Sequence, residues 1–344
     1  MSKDILFPPE WFPQSAIQLT WPHEESDWNY MLEEVTRCFV KISEQILKRQ
    51  KLIIVSKDAS RVKSELAGVA KGSMENLVVV EIASNDTWAR DHGGISVLID
   101  GKPVVYDFTF NGWGLKFASN FDNQITRSLF DKNIFKKNIW HTNKKNFALE
   151  GGALESDGKG TLLTTSECLL SPNRNSFLNK IEIENFLKEN LGLTRVLWLD
   201  HGYLAGDDTD SHIDTLARFC NERTIAYVKC DDQTDEHYEA LKKMEKQLES
   251  FKDFEGNPYQ LVHLPMAKSV VVDGERLPAT YANFLIMNGA VLVPIYDSES
   301  DAAALLQLQK AFPEREVIGI NCLPLIKQHG SLHCVTMQYP EGFI

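Results

Sequence analysis

Five residues of this chain could together attack a planar cation: Cys334, His212, Glu150, Asp91 and Asp214. A guanidinium group is planar, delocalised and charged near neutral pH, and its carbon is a poor electrophile. A site must first hold the plane. Paired carboxylates do this through parallel N–H bonds, and Asp91 and Asp214 are the candidates. The carbon then needs a strong nucleophile. A thiolate suits, and the cationic substrate itself helps to stabilise it; Cys334 is the candidate. Ammonia must leave protonated, and water must attack what remains. One histidine can donate the first proton and activate the later water. His212 stands two residues before Asp214, and in an extended segment the two would share one face. Glu150, ahead of the Gly151-Gly152 pair, is the carboxylate that would orient the imidazole. The chemistry implied is hydrolysis of a guanidinium group.

Singly, each signal is weak. A cysteine on an apolar strand is usually core packing, and an aspartate after an arginine is usually an ion pair or a turn residue. Cys334 sits in His329-Gly330-Ser331-Leu332-His333-Cys334-Val335-Thr336, where a glycine and a serine release the chain into an apolar alternation. Leu332 to Met337 reads as a strand with the cysteine near its start.

The remaining elements must bring these segments together. A strand is expected at Ala16 to Trp21, and then a helix over Trp28 to Lys48. Its apolar Met31, Leu32, Val35, Phe39, Ile42 and Ile46 recur at spacings of three and four, forming one buried stripe. Further strands are expected at 51–55, 77–82, 95–99, 104–108, 161–165, 195–199, 225–228, 261–264, 284–287, 291–294 and 317–320. Helices are expected near 59–69, 121–130, 181–190, 236–251 and 301–312. Strands come in twos and threes between single helices. Doubly wound sheets alternate one strand with one helix, so the surplus favours an α+β or propeller-like set of strand-rich modules. No linker divides the chain, and residues 1–344 read as a single catalytic domain.

Composition narrows the partners. A hydrophobic content of 43% can fill a sizeable core, and 24% charged residues fit a globular chain. The net charge of -12 argues against nucleic acid and anionic membrane as partners, and it is compatible with a cationic substrate. No stretch approaches the roughly 20 apolar residues of a membrane span, and residues 1–9 hold no apolar run that could serve as a signal. Six cysteines lie at 38, 168, 220, 230, 322 and 334 without a Cys-x-x-Cys pair. Reduced thiols and a cytoplasmic location are therefore expected. A homo-oligomer is compatible with all of this.

Taken jointly and in order, the motifs Trp88-Ala89-Arg90-Asp91, Leu149-Glu150-Gly151-Gly152, Gly206-Asp207-Asp208-Thr209 with His212-Ile213-Asp214, Ala217-Arg218-Phe219, Tyr281-Ala282-Asn283-Phe284 and His333-Cys334-Val335-Thr336 closely resemble the agmatine deiminase family. That family belongs with the bacterial peptidylarginine deiminases among the guanidino-group-modifying proteins. The likeness runs from about Phe12 to Pro340. It implies a five-bladed α/β propeller (a pentein) of pseudo-symmetric ββαβ modules with the site on its axis. It also implies a covalent amidino-cysteine intermediate, no metal or organic cofactor, and a place in polyamine (putrescine) biosynthesis. By the resemblance, Cys334 is the nucleophile, His212 the general acid and base, and Glu150 its partner. Asp91 and Asp214 bind the guanidinium, and Trp88 lines the substrate channel. The expected activity is hydrolysis of agmatine to N-carbamoylputrescine and ammonia.

Three departures lie beside the motifs: His92-Gly93-Gly94 where Thr-Gly-Pro is expected, Glu155 where a histidine is common, and His329-Gly330-Ser331 where a Gly-Gly-Asn-rich turn is expected. All are expected near the site and to bear on the substrate tail. Asp207, Asp208 and Asp210 are candidates to face a distal ammonium. Arg90 and Arg174 are candidates to meet the carboxylate of free arginine. The alternatives are a peptidylarginine or free-arginine deiminase, an amidinotransferase, a non-catalytic guanidinium-binding protein, and a zinc hydrolase using His329, His333 and Cys334 with His201 or His212.

Overall fold

A computed structural model describes residues 4–344. Five sheets repeat one hydrogen-bonding order: an antiparallel pair, then a parallel neighbour. Ile95–Ile99 pairs antiparallel with Lys102–Thr109, which pairs parallel with Trp140–Ala148. The same order holds for Glu155–Ser156, Thr161–Thr165 and Arg195–Leu199. It holds again for Ala217–Asn221, Thr224–Lys229 and Gln260–Pro265, and for Leu285–Met287, Ala290–Ile295 and Glu316–Asn321. The remaining sheet is built from both ends of the chain. Thr336–Pro340 supplies the antiparallel strand to Gln14–Thr20, which runs parallel to Lys51–Ser56 and then Leu77–Glu81. A parallel pair needs a crossover, and in each sheet a helix provides it: Leu32–Leu47, Ile125–Asp131, Lys180–Leu191, Tyr238–Ser250 or Asp301–Ala311. The architecture is mixed α/β: among the described residues there are six separate open sheets, the sixth being the two-stranded pair Val270–Val272 and Glu275–Leu277.

The stripe predicted on the first long helix is buried. Val35, Phe39, Ile42 and Ile46 are fully inaccessible and pack on Leu52 and Ile54 of the adjoining sheet. Asn179 begins Lys180–Leu191 with a capping box, its side chain accepting from the Glu182 amide while Glu182 answers the Asn179 amide. All six cysteines are buried free thiols. Among the described residues, no helix is long and apolar enough to cross a membrane.

Two expectations near the chemistry are corrected. The last strand begins at Thr336, and Cys334 lies in the turn before it. The amides of His333 and Cys334 are captured by the Asn283 carboxamide at 2.8 and 3.3 Å and so cannot join a ladder. His212 and Asp214 likewise are not on an extended segment; Ile213–Thr215 is a single 3-10 turn. Trp140–Ala148 and Ala217–Asn221 were missed as strands. The first is polar and half-exposed and has no apolar alternation to read.

Candidate active site

Each sheet is preceded by a turn, and the predicted residues sit in those turns. Asp91 lies four residues before Ile95, Glu150 five before Glu155, His212 and Asp214 just before Ala217, and Cys334 two before Thr336. The five residues converge. Asp91 Oδ1 is 3.6 Å from His212 Nδ1, and Glu150 Oε2 is 3.8 Å from His212 Nε2. Cys334 Sγ is 3.9 Å from Asp214 Oδ2. Gly152 stands at the point where they meet. A Cβ there would lie 2.5 Å from His212 Nδ1, 2.9 Å from Asp91 Oδ1 and 3.2 Å from Asp214 Oδ2.

Environment divides the two carboxylates of the pair. Asp91 accepts from Trp113 Nε1 at 2.9 Å and from the Gly152 amide at 3.1 Å. Burial nevertheless raises its pKa to about 6; Asp214 adds to the rise, and the nearby His212 imidazole opposes it. Asp214 is equally buried, yet its pKa is lowered. Burial alone would push it up, but the bond from His333 Nδ1 at 2.7 Å and the surrounding cations outweigh it. The pKa of His212 is raised well above the usual imidazole range: burial works against the charge, but Asp91, Cys168 and Glu150 prevail. Glu150 is held down despite its burial by His212 and by Arg174, whose Nε reaches both carboxylate oxygens at 3.0 and 2.8 Å. Burial pushes the Cys334 thiol well up, and Asp214 and Asp91 push it further.

Both ring nitrogens of His212 and Asp214 Oδ1 are buried without a hydrogen-bond partner in the protein. Orphaned polar groups of this kind carry a cost that a polar ligand relieves. A cavity of about 150 Å³ leads to Cys334 between Trp88, Trp113 and Phe117. The Trp88 indole donates to Asp86 at 3.1 Å, and its ring lies where a Cβ on Gly330 would come within 2.0 Å. That contact explains the glycine in the otherwise altered turn. His329 takes φ 64°, a left-handed value that glycine adopts more easily, and is held by the Gly206 carbonyl at 2.6 Å.

Of the three departures, only the His329-Gly330 turn borders the cavity. His92 packs against Phe110 and reaches Thr20 at 3.2 Å, with burial lowering its pKa to about 3. Glu155 accepts from Arg218 and from the Phe219 amide, with no contact to the cavity. Asp207 and Asp208 line the cavity, but Asp210 is turned to Lys116 and Arg174. Neither candidate arginine lines the cavity. Arg174 is held by Glu150 and Asp210 and by the Thr209 carbonyl at 2.9 Å. Arg90 reaches Gln338 at 2.6 Å, behind the site.

The zinc set does not assemble. His333 lies between Asp214 and Glu10, each at 2.7 Å, while His329 is on the Gly206 carbonyl. Among the described residues, two other triads could converge on an ion: Glu150–Cys168–His212 and Glu10–Glu155–His333. The Arg218 guanidinium already bridges the second, and Arg174 already holds the glutamate of the first. Sequence reasoning missed Trp113, Glu10, His333 and Asn283 as site residues. His333 and Asn283 stood inside quoted motifs; Glu10 and Trp113 carried no local signal.

A scaffold and a site of this kind mark the guanidino-modifying hydrolases. Within them the chain belongs to the Porphyromonas-type peptidyl-arginine deiminase family, whose model matches residues 6–340. A Vibrio parahaemolyticus relative, provisionally named an agmatine deiminase, is 34% identical over 97% of this chain and 96% of its own. The crystal structure of a Porphyromonas gingivalis protein, provisionally named an arginine deiminase, is 58% identical, with a TM-score of 0.95 over 99% of each chain. The C. jejuni agmatine deiminase, solved with substrate bound, is 38% identical, with a TM-score of 0.91 over 99% of this chain and 97% of that one.

Proposed function

We propose that this protein is an agmatine deiminase, hydrolysing the guanidinium of agmatine to N-carbamoylputrescine and ammonia. The observation that carries this reading is the charge of the cavity. Asp27, Asp86, Asp91, Asp207 and Asp208 line it, and no lysine or arginine does. Agmatine is cationic at both ends and has no carboxylate. Free arginine would bring its carboxylate into this acidic mouth with no cation to meet it.

In this mechanism Asp91 and Asp214 hold the guanidinium plane, and the arriving cation draws the Cys334 thiol toward thiolate. Sulfur attacks the guanidinium carbon. His212, already carrying a proton, gives it to the departing nitrogen, which leaves as ammonia. An amidino-thioether remains on Cys334. His212 then takes one proton from water as the oxygen attacks the same carbon; the carbon–sulfur bond breaks to return the thiolate, and the remaining hydroxyl proton passes to solvent, leaving the neutral ureido product. Glu150, anchored by Arg174, keeps the imidazole oriented throughout. The five ββαβ modules form one catalytic domain arranged as propeller blades around this centre.

The test is ammonia release with agmatine, free arginine and an arginyl peptide side by side, with Cys334→Ser as the blank. Agmatine should be preferred and the variant inactive. Turnover of arginine or the peptide alone would overturn the substrate, and an active variant would overturn the nucleophile.

A further inference from the structure

Arg90 is only 4% exposed, and its hydrogen-bond partners among the described residues are neutral. Nη1 donates to Gln338 Oε1 at 2.6 Å and touches Met337 Sδ at 3.8 Å. Nε and Nη2 are buried without a partner. In a guanidinium these two nitrogens share the edge that points away from Cδ, and their N–H bonds run parallel. That edge is the fork from which a carboxylate or another planar oxyanion accepts two hydrogen bonds at once. A buried charge ordinarily has its counter-charge in contact.

The fork borders a cavity of about 40 Å³ that shares no lining residue with the substrate cavity. Gly151, Met337 and Gln338 form its wall with Arg90. A Cβ on Gly151 would lie 3.2 Å from Arg90 Cδ, and Nη1 is at Met337 and Gln338, so the side chain follows that wall along its length. A second donor borders the same space. Ser96 lines it, and its buried hydroxyl has no partner either. We propose that this cavity binds a small planar oxyanion of formate size, held by the Nε and Nη2 fork of Arg90 and by the Ser96 hydroxyl.

The remaining walls fit that occupant. Glu10 and Glu155 also line the cavity, but their carboxylates are taken up elsewhere. Glu10 accepts from the Ile286 amide at 2.6 Å, from His333 Nε2 at 2.7 Å and from Arg218. Glu155 accepts from Arg218 and from the Phe219 amide at 3.0 Å. Arg218 thus answers both acids, and Arg90 is left to a ligand. Pro8, Pro9 and Pro340 close the space; prolines bring no N–H, so the donors are concentrated on one side. Size sets the limit. A cavity needs about 10–15 Å³ to hold one water-sized group, so this one admits three heavy atoms and excludes a phosphate. Three heavy atoms in turn limit the affinity to a Kd of about 0.5 mM at best.

The inference does not depend on the role of Cys334 or on the substrate. The test is thermal unfolding of the full chain in sodium formate against sodium chloride at equal ionic strength, with Arg90→Met and Ser96→Ala beside the wild type. Formate at ten times its Kd should raise the wild-type Tm about 2 °C above the chloride value. Arg90→Met should lose that difference, and Ser96→Ala should need about tenfold more formate to reach it. Should Arg90→Met fail to fold, Ser96→Ala and a crystal of the wild type soaked in sodium formate carry the test. The crystal should show a planar density within hydrogen-bond distance of Nε, Nη2 and the serine hydroxyl. Water alone at that place under saturating formate would overturn the proposal. So would an equal shift with chloride, a shift that survives in folded Arg90→Met, or an unchanged formate response in Ser96→Ala.

Discussion

At the scale of single residues, the informative feature is the split between two neighbouring aspartates. Asp91 and Asp214 both approach Gly152, yet burial raises one pKa and a histidine lowers the other. Environments that push paired carboxyls apart are a mark of acid–base sites. The sign for stability follows directly. The folded-state pKa of Asp91 is raised from 3.8 to about 6. Its contribution is therefore fully present below the unfolded value and is lost as pH rises through about 6. Asp91→Asn removes that titration along with one hydrogen bond, and the bond's loss does not depend on pH. Between pH 5 and pH 8 the variant should accordingly gain on the wild type by about 1.4 kcal/mol while being inactive. Urea unfolding at the two pH values checks this; an unchanged difference would mean that Asp91 is already ionised at pH 5.

At the scale of elements, the turns ahead of the first strands carry the site, and glycine makes their approach feasible. The three atoms nearest a Cβ on Gly152 would all be side-chain atoms, of His212, Asp91 and Asp214. Those side chains could shift while the fold stays. Gly152→Ala should therefore remain folded by circular dichroism and lose about 10²-fold in kcat, as expected when reacting groups are displaced by fractions of an ångström to one ångström. A folded variant with near wild-type kcat would show that the site tolerates the displacement. Trp113 comes from a different kind of element. Gly112, Trp113, Gly114 and Leu115 all have positive φ, from 55° at Trp113 to 82° at Gly114. Strain of this sort persists where surrounding contacts over-determine it. Here the contacts are the bond to Asp91 and the edge-on packing against Trp88 and Phe110.

At the scale of the whole molecule, the chain's ends close on one another behind the site. The first sheet takes a strand from each end. Glu10 accepts from the Ile286 amide at 2.6 Å, from Arg218, and from His333 Nε2 at 2.7 Å. His333 in turn holds Asp214. A residue near the N-terminus thus reaches Asp214 through one imidazole. The pKa of Glu10 is held far down by Arg218 and His333 against the effect of burial. Glu10→Ala removes one of the two carboxylates that Arg218 and His333 each hold and should cost about 3–5 kcal/mol in unfolding free energy. It should also loosen Asp214, raising KM for the cationic substrate. Chemical denaturation with steady-state kinetics tests both, and a loss below about 1 kcal/mol would place the pair in the weak, exposed class.

Much of this was legible in the sequence, and for definable reasons. Local periodicity marked the helix Leu32–Leu47 and strands such as Ile95–Ile99, Thr161–Thr165 and Arg195–Leu199, because the buried face of each element is written in its own residues. The chemical demands of a guanidinium picked out Cys334, His212, Glu150, Asp91 and Asp214 before any geometry was known. Only the tertiary structure decided the rest. It showed that Cys334 lies in a turn because Asn283, 51 residues away, takes the amides a strand would need. It turned Arg174 and Asp210 inward to each other and left Asp207 and Asp208 on the cavity. It also brought Glu10 to His333 across 323 residues of chain. Contacts between side chains distant in sequence leave no periodic trace. Residue types therefore determined which chemistry was available, while packing of the modules determined which copies of those types converge and which hold them in place.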